Sequence, residues 1–95
     1  MFIGSLVVAF RLHGLTSLKE KRGIASSMKQ KLRNKFNLAV SETEDQNDRT
    51  RLVLGLVTVS SDKQRAESIL NKAMTMIEAM TSEEIIEVTI EVIAA

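Results

Sequence analysis

Apolar positions along the 95-residue chain recur with two different periods, and the alternation between them predicts six elements. Phe2 to Leu12 reads as a strand. Phe2, Gly4, Leu6, Val8, Phe10 and Leu12 share one face, and Ile3, Val7 and Ala9 make the other face apolar too, as in a central strand. His13, Gly14, Leu15 and Thr16 form a turn, and His13, with no second histidine or cysteine beside it, is a loop residue. Ser17 to Phe36 then takes up the helical period, with Leu18, Ile24, Ala25, Met28, Leu32 and Phe36 on one side. Ser17 and Glu20 have the spacing of a capping box. Asn37 to about Asp45 is a second strand with Leu38 and Val40 inward, followed by a hairpin connection over 44–51 that holds no apolar residue. Leu52 to Ser60 is a third strand, with Leu52, Leu54 and Leu56 on one face and Val53, Val57 and Val59 on the other, and Gly55 marks a close backbone approach. Ser61 with Gln64, or Asp62 alone, caps a second helix whose stripe is Ala66, Ile69, Leu70, Ala73, Met74, Ile77 and Met80, and which Thr81 and Ser82 end. Ile85 to Ile93 closes the series, with Ile86, Val88, Ile90 and Val92 alternating against Glu87, Thr89 and Glu91.

The order β-α-β-β-α-β over residues 1–95 is the α+β, ferredoxin-like split-βαβ pattern: one domain, a four-stranded antiparallel sheet and two helices on one face. That topology places strands one and three in the centre. These are the strands with apolar residues on both faces, while the glutamate-bearing strands two and four fall at the edges, where charge discourages stray pairing.

Both helices cover one sheet face in this arrangement, so Ile3, Val7, Ala9, Val53, Val57 and Val59 contribute to an open face. An apolar open face implies a protein partner, often a second copy of the chain, with Ile3, Val7, Val53 and Val57 as its interface. An RNA-recognition sheet would place aromatics there, but the chain has three Phe, no Trp and no Tyr. With no Cys there is no disulfide, thiolate metal site or cysteine nucleophile, which suits a reducing cytoplasm. The apolar start MFIGSLVVAFRL is too short to span a bilayer and lacks a basic leader, so no membrane association is expected. No catalytic constellation is present: the serines have no base partner beyond His13, and no glycine-rich phosphate loop or zinc motif occurs. The acids of 44–51 lack the glycine bend and distal glutamate of a calcium loop, so neither metal nor cofactor is expected.

Charge changes the picture more than composition does. The net charge is only +1, yet Lys19, Lys21, Arg22, Lys29, Lys31, Arg33 and Lys35 crowd the first helix against the single acid Glu20. Acids gather instead at Glu42, Glu44, Asp45 and Asp48 and again at Glu83, Glu84, Glu87 and Glu91. Lys19, Arg22, Lys29 and Arg33 line one outward helix face, whereas Lys21, Lys31 and Lys35 fall nearer the apolar side and snorkel from its edges. Lys19, Lys21 and Arg22 sit in the first turns, where the macrodipole disfavours cations by a few tenths of a kcal/mol each. The candidate phosphate-binding residues are therefore Lys19, Arg22, Lys29 and Arg33, joined by Lys21 and Lys35.

SLKEKR (17–22), KLRNKFNLAVSE (31–42) and LGLVTVSSD (54–62) together resemble the YlxP-like bacterial family, a domain of unknown function. The resemblance runs nearly the whole chain and implies a ferredoxin-like fold without established catalytic residues. Because genes of that family commonly sit beside those of transcription, translation-initiation and ribosome-maturation factors, it implies a non-enzymatic role near RNA or a ribosomal subunit. Lys19, Lys21, Arg22, Arg33 and Lys35 lie within its signature stretches. The 44–51 loop departs from the family in lacking aromatic or apolar residues.

Overall fold

Leu6, Val8 and Phe10 of the first strand and Leu52, Leu54 and Leu56 of the third are fully buried, and every other element is arranged to cover them. The computed structural model describes residues 1–95. Its elements are β1 (Phe2–Arg11), α1 (Leu18–Lys35), β2 (Ala39–Glu44), β3 (Arg51–Ser60), α2 (Lys63–Met80) and β4 (Glu84–Ala94). The strands form one antiparallel sheet in the order β2-β3-β1-β4. The ferredoxin-like α+β architecture and the central places of β1 and β3 are those expected from the pattern.

Residues opposite one another in an antiparallel ladder share a face, so the register assigns the two sides of the sheet. Leu6 faces Leu56 and Ile90, and Val8 faces Leu54 and Val88, on the helix side; Ile3 faces Val59 and Ile93 on the open side. Ala25, Met28 and Leu32 of α1 and Ala66, Leu70, Ala73 and Ile77 of α2 close the core over β1 and β3. Gly4 falls on this side, opposite Thr58, and α2 passes close above it. A Cβ there would lie 2.9 Å from Leu70 Cδ1 and 3.4 Å from Thr58 Cγ2. Gly4→Ala is therefore expected to overpack the core and lower stability by about 1–3 kcal/mol in chemical denaturation. An unchanged midpoint would show that α2 can retreat from the sheet.

Several local expectations are refined. Ser17 accepts from the Glu20 amide at 3.2 Å, the first half of the expected capping box, while the Glu20 carboxylate accepts from the Thr16 hydroxyl. Asp62, rather than Ser61, caps α2, accepting from the Gln64 amide at 3.0 Å. At Gly55 the close neighbour is a side chain, since a Cβ would meet Thr43 Cγ2 at 2.7 Å. The largest departure is at β4. Val88 and Ile90 point to the helix side, yet the helices stop short of that edge and both remain exposed.

A candidate nucleic-acid interface and the buried lysine beside it

The 18 residues of α1 span about 27 Å, and its cations divide into three environments. At roughly 100° per residue, Lys19, Arg22, Lys29 and Arg33 form one ridge, covering about 21 Å of rise between first and last. Lys19, Arg22 and Arg33 are exposed and Lys29 half-buried. Lys31 and Lys35 are on the opposite flank, which turns toward α2. There Lys31 borders a cleft of about 560 Å³ with Glu20 and Glu83, and Lys35 shares a shallower groove with Phe36 and Lys72. None of these six lysine and arginine side chains has a carboxylate within 4.0 Å; every ion pair of the molecule is made by Arg11, His13, Lys21 or Arg51. Between the two flanks the helix presents Gly23, Ser26, Ser27, Gln30 and Asn34, all exposed, uncharged and short or polar.

Lys21 belongs to neither flank, which corrects its assignment to the phosphate-binding set. It does not snorkel from an edge but is fully buried. Its ammonium lies 2.5 Å from the Asp45 carbonyl, 2.5 Å from the Asp48 carbonyl and 3.0 Å from Glu42 Oε2. Two of its donors meet main-chain carbonyls and the ion pair with Glu42 balances its charge, as an enclosed ammonium requires. The β2–β3 loop is shaped to supply them. Asp45 takes a left-handed φ of 53°, a conformation aspartate tolerates, and its carbonyl also accepts the Asp48 amide at 3.0 Å. Asp48 in turn accepts from the Thr50 hydroxyl at 2.6 Å and the Thr50 amide at 2.8 Å. These two bonds, hydroxyl first, hold its carboxyl below the usual carboxylate range. The hairpin connection without apolar residues is thus moored to the first turn of α1 by its main chain.

The open sheet face is also less open than the strand pattern implied. Val53 is only 1% exposed, as is Ala9 opposite it, which removes Val53 from the expected interface. Arg51 lies on the same face and reaches Asp45 at 2.9 Å on one side and Glu87 at 3.5 Å on the other, so this ion pair crosses the sheet over the Val53–Ala9 row. Further along, Val7 and Val57 remain exposed and Ile3 half-buried, in a patch that continues through Val59 and Ile93. His13 stays in an exposed turn, 3.4 Å from Glu84. No group of three or more His, Cys, Asp or Glu is placed to hold a metal ion, and no helix is long and apolar enough to cross a membrane.

Solved structures place this architecture among ferredoxin-like folds. A de novo designed protein with a ferredoxin fold aligns over 100% of this chain and 87% of its own, at 13% identity and a TM-score of 0.59. A protein from an uncultured marine organism, described as a dimeric ferredoxin-like protein, aligns over 100% of this chain and 94% of its own, at 15% identity and a TM-score of 0.55. The sequence narrows the class further. Residues 3–90 match the family model "Protein of unknown function (DUF503)", and the chain belongs to that family. It is 33% identical over 63 residues, 66% of this chain and 68% of the relative, to the uncharacterized protein YlxP of Bacillus subtilis.

Proposed function

We propose that this chain binds RNA through the outer flank of α1, with Lys19, Arg22, Lys29 and Arg33 contacting phosphates. The observation that carries this reading is the set of α1 cations without a carboxylate partner, in a molecule whose acids, Glu20 apart, lie off that helix. A helix shaped by stability alone would bear acids in its first turn and pair its lysines with glutamates at four-residue spacing; α1 has only Glu20. Gly23 supports the reading as well. It costs about 1 kcal/mol in a helix interior, and a Cβ there would meet nothing within 4 Å, so packing within the molecule does not call for it. The genomic neighbourhood of the resembled family favours RNA, and ribosomal RNA in particular.

Binding of the wild-type chain to ribosomal RNA and to purified ribosomal subunits across a salt series tests this. With four phosphate contacts, log K is expected to fall against log salt with a slope of roughly 2.8–3.6. Absence of binding at low salt would make α1 a solvated surface and remove the proposal.

A second reading, association of two copies, is favoured by the exposed row Val59–Ile3–Ile93 and its neighbours Val57 and Val7. The marine ferredoxin-like protein is described as dimeric.

A further inference from the structure

We infer that two copies of this chain join along the outer edge of β4, with Ile90 on the two-fold axis, to form a continuous eight-stranded sheet. β4 is the longest strand, 11 residues, and the ladder occupies only its β1 side. No hydrogen bond from elsewhere in the molecule reaches its outer edge. Such an edge is a template for another strand unless charge, a bulge or shortness blunts it. The opposite edge, β2, is blunted over its whole length: it has 6 residues and an irregular register between Glu42 and Glu44. On β4 the one irregularity, at Ile86, lies near its start and leaves Glu87–Ala94 regular, where Glu87 and Glu91 discourage only those registers that oppose them. The β4 edge instead exposes Val88 at 44% and Ile90 at 40%, on the side where apolar residues are otherwise covered by helices.

The occupant follows from the sequence of the strand itself. Residues opposite one another across a two-fold seam share a face, so the register must centre on a residue. Centring on Thr89 would set Glu87 against Glu91 of the second copy, and centring on Glu91 would set that residue against itself. Centring on Val88 or on Ile90 keeps all carboxylates apart, but a seam about Val88 would run through the irregularity at Ile86. Centring on Ile90 pairs Ile90 with its own counterpart, Val88 with Val92, Thr89 with Glu91 and Glu87 with Ile93, all in the regular part of the strand. The same glutamates repel a phosphate backbone, which leaves a second copy as the partner this edge fits.

Sedimentation equilibrium of the wild-type chain is expected to show a dimer, and Ile90→Lys, which places two ammonium groups on the axis, to show a folded monomer. The chain has no cysteine, so single substitutions locate the seam directly. Opposed residues of an antiparallel pair lie about 4.5–5.5 Å apart at Cα, within the span of a disulfide. Oxidised Ile90→Cys is expected to become a covalent dimer, and Val57→Cys, on the open face, to stay uncrosslinked. A monomeric wild type overturns the inference, as does an Ile90→Cys chain that remains uncrosslinked. Crosslinking of Val57→Cys instead would move the seam to the open face. RNA takes no part in these measurements, so their outcome is separate from that of the α1 proposal.

Discussion

Lys21→Met is expected to lower the unfolding free energy by about 3 kcal/mol, the lower end of the range for breaking a buried ion pair. Two effects add. Glu42, with a side chain only 14% exposed, is left as an uncompensated carboxylate. The Asp45 and Asp48 carbonyls, each 2.5 Å from the ammonium, lose its hydrogen bonds, and only that of Asp45 keeps another donor, the Asp48 amide. The residual access of Glu42 to water keeps the loss at the low end. Denaturant unfolding measures it directly, and Lys21→Met/Glu42→Leu separates the two effects. The double variant is expected to recover the part due to the stranded carboxylate, but not the part due to the two carbonyls. If Lys21→Met changed stability by less than about 1 kcal/mol, the value of a surface pair, the enclosed ammonium would be refuted.

Arg22→Glu/Arg33→Glu is expected to leave the fold intact and to take away most low-salt RNA affinity. Two lost phosphate contacts lower the salt slope by roughly 1.4–1.8, and the introduced carboxylates then repel the chain they replace contacts to. Stability is expected to change little because the dipole effects oppose each other. A glutamate near the start of α1 gains a few tenths of a kcal/mol, and one in its last turn loses a similar amount. Filter binding across salt, with thermal unfolding as the control, reads both quantities. Lys31→Glu/Lys35→Glu reverses the same number of charges on the flank facing α2 and is expected to weaken binding less. Equal loss in the two variants would mean that RNA sees only net charge, and an unchanged slope in the first would remove the ridge as the site.

The fold was legible because two independent signals agreed: the order of periods along the chain, and the restriction of doubly apolar strands to β1 and β3. The ridge was legible from one signal, since period alone decides which cations share a flank. Lys21 was misplaced although its position was informative. Steps of three, four and seven residues connect it back to Leu18 and forward to Ala25 and Met28, which puts it in the middle of the core stripe rather than at its edge. What the sequence does not display is that the turn at Asp45 aims two carbonyls at that point. Val53 failed differently. Arg51 reaches Glu87 at the far end of the Val53–Ala9 row, and strand alternation carries no information about where an arginine reaches. The exposure of Val88 and Ile90 depends on how far the helices extend over the sheet, a property of packing between elements and not of any one of them.

The mooring of the 45–48 loop also determines what its acids can do. Lys21 holds the loop by main-chain carbonyls, and Arg51 draws the Asp45 carboxylate toward the open sheet face. The loop is thus fastened at its base, with the Asp45 carboxylate paired to Arg51 and that of Asp48 to Thr50 rather than to the α1 ridge. A free loop of the same composition, so near in sequence to a row of unpaired cations, would serve as a built-in counterion and compete with any polyanion for the same contacts. Cutting the Lys21 anchor would therefore create an internal competitor: weaker binding of the anion, although no residue that touches it has changed.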